Sequence, residues 1–139
     1  MIYKRFDDRL VIKLDKNDNL VASIKDVLKK ENILAGSISG IGASNHLDMG
    51  VFNPEIKNYE RKIYDEDLEI TCILGNVSQK DGEVYTHLHI TCGRSDGSAI
   101  AGHLNEAKIS LTCEIFVDII DGKILRGHDK DLGIDVISF

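Results

Sequence analysis

Hydrophobic and polar residues alternate with a period of two along most of this chain, the mark of half-buried strands. From Arg9 to Leu14, residues Leu10, Ile12 and Leu14 fall on one face. One segment departs from the pattern. Leu20, Ile24, Val27 and Leu28 recur at helical spacing, predicting a helix that Asp18 or Asn19 caps and Asn32 ends. Strand-like runs follow at Ile33 to Phe52, Ile56 to Tyr64 and Leu68 to Val77, with the acidic turn Asp65-Glu66-Asp67 before the last. Two histidine-bearing runs come next. The cleanest alternation spans Ile109 to Ile119, and Asp121-Gly122 is expected to turn that strand into Lys123 to Arg126. One main helix and about seven or eight strands predict an α/β (α+β) fold with a largely antiparallel mixed sheet. A length of 139 residues predicts a single domain over 1–139.

The histidine runs carry the candidate chemistry. Tyr85, His87, His89 and Thr91 share one face of their strand, opposite Val84, Leu88, Ile90 and Cys92. The apolar face belongs to the core, so His87 and His89 project together from the polar side, about 7 Å apart along the strand. Whether His103 joins them depends on the connecting turn, Gly93-Arg94-Ser95-Asp96-Gly97-Ser98. A two-residue loop, Asp96-Gly97, sets His103 opposite Ile90 and on the wrong face. A three-residue loop, Ser95-Asp96-Gly97, with Gly97 left-handed in a bulge, sets it directly opposite His89. The three-residue loop is the expectation, since a one-residue slip scatters the cluster. Three histidines on one face fit a metal site, an exposed polar face or a polar seam between subunits.

Composition narrows the partners. The chain carries 23 acidic and 17 basic residues, a net charge of −6, with its bases scattered. Direct grip on nucleic acid requires clustered cations to displace phosphate counterions, and none are seen. No apolar run can span a bilayer, and Met1-Ile2-Tyr3-Lys4-Arg5 lacks the core of a signal peptide. Cys72, Cys92 and Cys113 are widely spaced in apolar runs, which predicts buried reduced thiols and a cytoplasmic setting. Gly40-Ile41-Gly42-Ala43 opens like a dinucleotide fingerprint but lacks its third glycine, so close backbone packing is the better reading. His46 and His128 stand alone and are assigned no metal role.

In their order, Ser39-Gly40-Ile41-Gly42-Ala43, Leu74-Gly75-Asn76-Val77-Ser78, His87-Leu88-His89, Asp96-Gly97 and Gly102-His103-Leu104 resemble the PPC domain (plants and prokaryotes conserved, also DUF296). The resemblance runs from the first strand to about Glu114. It implies a single α/β domain assembled as a homotrimer, in a stand-alone prokaryotic form, with a metal, commonly zinc, on His87, His89 and His103. Three imidazoles suit Zn²⁺ and leave a fourth position for water or a small anion. Such an open site supports hydrolase or lyase chemistry if a general base stands near, and Glu106 and Glu114 are the candidates. Glu114 also matches a glutamate common in that region of the family, and Tyr85 is placed to orient a ligand.

Plant relatives are DNA-associated through an added Arg-Gly-Arg-Pro hook, which this chain lacks; its sole proline is Pro54. The stretch matching their Gly-Arg-Phe-Glu-Ile-Leu partner segment is Glu66-Asp67-Leu68-Glu69-Ile70-Thr71, with two acids replacing Gly-Arg. The leading expectation is a homotrimeric zinc-binding module with a regulatory or DNA-associated role, acting through protein partners. The alternative is a metal-dependent hydrolase or lyase acting on a small anionic substrate.

Overall fold

The computed structural model describes residues 1–139 as one helix and nine strands. Strand β1 (Ile2–Phe6) and β2 (Arg9–Asp15) form a hairpin, and β2 buries Leu10, Ile12 and Leu14 completely. Helix α1 (Leu20–Lys30) follows and buries the stripe Leu20, Ile24, Val27 and Leu28. Asn32 ends it as predicted, in the left-handed region with φ 52°, while the Ile33 N–H donates to Leu28 O at 2.9 Å. The start is different. Asn19 holds the N-cap position but makes no side-chain bond. Glu106 takes that role from a distant strand, accepting from the N–H groups of Val21 at 2.8 Å and Ala22 at 3.3 Å.

The remaining strands are β3 (Gly36–Asn53), β4 (Asn58–Tyr64), β5 (Leu68–Lys80), β6 (Glu83–Gly93), β7 (Ala99–Ile119), β8 (Leu125–Asp129) and β9 (Ile134–Ser138). Strand β3 pairs antiparallel with β5 and β7, and β6 pairs antiparallel with the same two. These four strands therefore close into a ring around the core, with β4 added beside β3 and α1 packed against β2, β6 and β7. No helix is long and apolar enough to cross a membrane.

Close approach explains the glycines. A Cβ on Gly42 would lie 2.6 Å from Thr112 O, and one on Gly75 would lie 2.0 Å from His87 O. The three cysteines are free thiols. Cys92 and Cys113 are buried, and desolvation raises their pKa values to about 11 and about 12, which keeps them protonated.

Two expectations are corrected. The second histidine run and the Ile109 run are one 21-residue strand, β7. Register shifts against β3 at Gly42/Ser44, Ser44/His46 and Asp48/Met49 let the strand bend without a break. Residues after Asp121-Gly122 also do not fold back onto β7. At Asp118 both edges of β7 are taken, by Arg9 of β2 and Ser37 of β3. The chain instead reaches β5 in a single parallel pair, Gln79 with Leu125, and closes the hairpin β8–β9.

Candidate metal centre

The register of β6 and β7 decides the site. Arg94 N donates to Ser98 O at 2.8 Å, Gly97 N donates to Arg94 O at 3.0 Å, and Gly97 has φ +83°. Ser95-Asp96-Gly97 is therefore the three-residue loop expected, and His89 pairs directly with His103. Behind the histidines, Leu88 and Ile90 are at most 2% exposed. Burying that face drives the alternate face outward, so the core itself aims His87 and His89.

One ligating nitrogen from each of His87, His89 and His103 lies within 4.8 Å of the others. His87 Nε2 and His89 Nε2 stand 3.2 Å apart. With metal–nitrogen bonds of 2.0–2.1 Å, the edge of a tetrahedral zinc site is about 3.3 Å, so this pair already has the required separation. His103 Nδ1 is buried without a hydrogen-bond partner. Desolvation lowers the His103 pKa to about 4, with His87, His89 and Arg126 adding to the effect. Desolvation also lowers that of His87, followed by the charges of Arg126 and His89. Both rings are thus neutral near pH 7, the form that ligates metal. The cluster could hold a metal ion.

Neighbouring side chains fix the rings. Tyr59 packs on His103 with centroids 4.7 Å apart, and Phe52 meets Tyr59 edge-on at 5.4 Å. Arg126 reaches in from β8. Its guanidinium donates to Ser78 Oγ (2.9 Å), Asn76 Oδ1 (2.9 Å) and Asp135 O (2.8 Å), faces His87 Nδ1 at 3.3 Å, and lies over the Tyr85 ring. Beside the histidines opens a cleft of about 330 Å³ whose lining includes Lys57, Tyr59, Lys80, Tyr85 and Asp135. Sequence reading did not find Arg126, Lys57 or Lys80, because long-range pairing alone brings them here.

Neither carboxylate candidate lines the cleft beside the histidines. Glu106 is turned to the start of α1 and also accepts from its neighbour's amide, Ala107 N, at 3.0 Å. Glu114 pairs with Lys13 and Ile41, eleven positions along β7 from His103. His46 is bonded to Asp65 at 2.5 Å and His128 to Asp135 at 3.1 Å.

Fold and histidine geometry together define a PPC-type domain. The sequence profile of the Plants and Prokaryotes Conserved (PCC) domain matches residues 1–121, and the chain belongs to that family. Among solved structures, a candidate DNA-binding protein from Bacteroides thetaiotaomicron is 38% identical with TM-score 0.96, over 99% of this chain and 96% of its own. A metal-containing protein from Archaeoglobus fulgidus is 33% identical with TM-score 0.88, over 98% and 97%. A plant- and prokaryote-conserved (PPC) protein from Pyrococcus horikoshii is 32% identical with TM-score 0.83, over 94% and 90%. No curated protein matches the sequence.

Proposed function

We propose that this chain is a homotrimeric metal-binding module that holds zinc on His87, His89 and His103 and uses the remaining coordination position to sense a small ligand. The observation that carries the reading is the convergence of three imidazoles, with ligating atoms within 4.8 Å of one another and the His87–His89 pair at tetrahedral spacing, beside an open cleft. The Archaeoglobus relative named as metal-containing, similar over nearly its whole length, supports it. When bound, zinc supplies a Lewis acid and an activated water or anion position. The protein's part is to present the rings: His87 and His89 through the buried back of β6, and His103 through the packing of Tyr59.

A trimer is supported by the outward face of the ring. Ile41, Leu74 and Phe116 are 58%, 57% and 48% exposed, and Leu74 and Phe116 both pair with Ser39. Leu74 also pairs with His89, so subunits packed on this face lie beside the centre. Relatives named as candidate DNA-binding proteins support a regulatory role. With a net charge of −6, the association runs through a protein partner. The enzymatic alternative on a small anionic substrate draws on the same open cleft, with Glu106 already engaged at the start of α1.

The test is metal content of untagged protein by mass spectrometry beside His89→Ala, with both sized by light scattering. Near-stoichiometric zinc in a trimer, lost in the variant, is expected. A folded trimer that takes up no metal from supplied zinc overturns the metal reading, and a monomer overturns the assembly.

A further inference from the structure

We propose that the cleft between the β8–β9 hairpin and the histidines binds a small carboxylate anion, gripped by Lys57 and Lys80, with its carbon skeleton directed toward His87 and His103. The inference deepens the ligand-sensing reading above and rests on it for the role of the histidines.

Charge is the first argument. A chain of net charge −6 gathers Lys57 and Lys80 around this cleft, against one lining carboxylate, Asp135. That carboxylate is already paired with both Lys80 and His128. Lys57 has a neutral partner, its ammonium donating to the carbonyl of Lys130 at 3.4 Å. A positive group facing a concave wall without a counter-charge favours an anion there.

Shape is the second. About 330 Å³ falls at the small end of small-molecule sites, which span roughly 300–1,000 Å³. Phe52 and Tyr59 give it an aromatic wall that continues onto the His103 ring, suited to a short carbon chain. Gly133 sets the position of the cation. A Cβ there would stand 3.1 Å from both Cβ and Cδ of Lys57, so the lysine stem runs directly over the glycine.

The chemistry favours carboxylate over phosphate. Phosphate sites recur at guanidinium forks and at helix N-termini. Here the one guanidinium nearby, Arg126, is engaged by Ser78, Asn76, Asp135 and His87, and the start of α1 is occupied by Glu106. Two ammonium groups and the one lining carboxylate, Asp135, leave a single positive charge, matched to a single carboxylate. Four lining residues, His128, Gly133, Ile134 and Asp135, lie beyond the family-matched residues 1–121. The cleft is therefore built jointly, its cations from the family-matched residues and one wall from the C-terminal hairpin. A larger concavity of about 520 Å³ sets Lys16 beside two carboxylates of its own, Asp67 and Glu69, and its Arg94 is paired with Glu66.

The experiment is an amide-resolved NMR titration of full-length protein with propionate and succinate, and separately with inorganic phosphate, in metal-stripped and zinc-supplemented samples. Saturable carboxylate shifts are expected at Tyr59, Tyr85 and Gly133. Lys57→Glu should weaken them about tenfold or more, as loss of a charge-assisted contact does. Lys16→Glu, which changes the net charge equally outside the cleft, should leave them unchanged. Equal losses in both variants overturn the proposal, as does preference for phosphate or the absence of saturation at the cleft. Zinc uptake without carboxylate shifts sinks the cleft alone. Carboxylate shifts in metal-stripped protein, lost in Lys57→Glu, uphold the cleft even where zinc uptake fails.

Discussion

Two structures flank the three histidines, and they are held by different forces. On one side, β6 pairs along its length with β5 and over five residues with β7, and it buries Leu88, Ile90 and Cys92 to 2% exposure or less. On the other side, no residue of the β8–β9 hairpin is fully buried. One backbone pair, Gln79 with Leu125, joins it to the sheet, helped by the polar contacts of Arg126 and the Lys80–Asp135 ion pair. Apolar burial is strong and fixes register; polar surface contacts are weak and exchange with water. The wall that presents nitrogen atoms to a metal is therefore rigid, while the wall that selects a ligand opens more easily.

Damage to the back of β6 should be the largest effect. Leu88 is 1% exposed and lies between His87 and His89 on the opposite face. Leu88→Ala is expected to cost about 2–5 kcal/mol through lost transfer energy and a cavity. Urea unfolding followed by circular dichroism checks this. A loss below about 1 kcal/mol would show that the site wall is not anchored by the core.

The front of the same strand should behave differently. His89 is exposed and points away from the core, so His89→Ala should change the stability of metal-free protein by no more than about 0.5 kcal/mol. Zinc at a hundredfold excess over its Kd should add about 2.7 kcal/mol to wild type and far less to the variant. Thermal unfolding with and without zinc reads the contrast directly.

The rigid wall was far more legible in the sequence than the soft one. Local chemistry specified it: Gly97 had to be left-handed for the three-residue loop, and period-two alternation put His87 and His89 opposite Leu88 and Ile90. Asn32 marked the helix end for a similarly local reason. What escaped depends on residues far apart. Glu106 caps a helix 85 positions earlier, so its carboxylate read as a free base. The second histidine run and the Ile109 run read as separate because the register shifts that join them arise only in pairing with β3. The hairpin lacks an alternating apolar face, and Lys57, Lys80 and Asp135 meet only through tertiary pairing.

A smaller effect separates the walls by pH. His103 is held neutral down to about pH 4 in the folded protein, against an ordinary value of 6.5. Between these values the unfolded chain takes up a proton that the folded one refuses. Stability of metal-free protein should therefore fall as pH drops from 6.5 toward 4, then level off in this contribution below about 4. His87 adds in the same direction. Urea midpoints should fall further in wild type than in His103→Asn across that range, and parallel curves would remove His103 as the cause.

The smallest expected effect tests the comparison most directly. Arg126→Ala removes the guanidinium contacts to Ser78, Asn76 and the Asp135 carbonyl but creates no cavity in the core. Global stability should change by about 1 kcal/mol or less, because these contacts are partly solvated and none belongs to the apolar cluster. Hydrogen exchange should nonetheless speed up across Leu125–Ser138, while the amides of Leu88, Ile90 and Cys92 keep their protection. The hairpin would then open as a unit of its own, with Lys57 losing its Gly133 support while the histidine ladder holds. Equal loss of protection in β6 would make hairpin and ladder one cooperative unit. The division between a rigid metal wall and a soft ligand wall would then fail, and ligand release would require the metal centre to open with it.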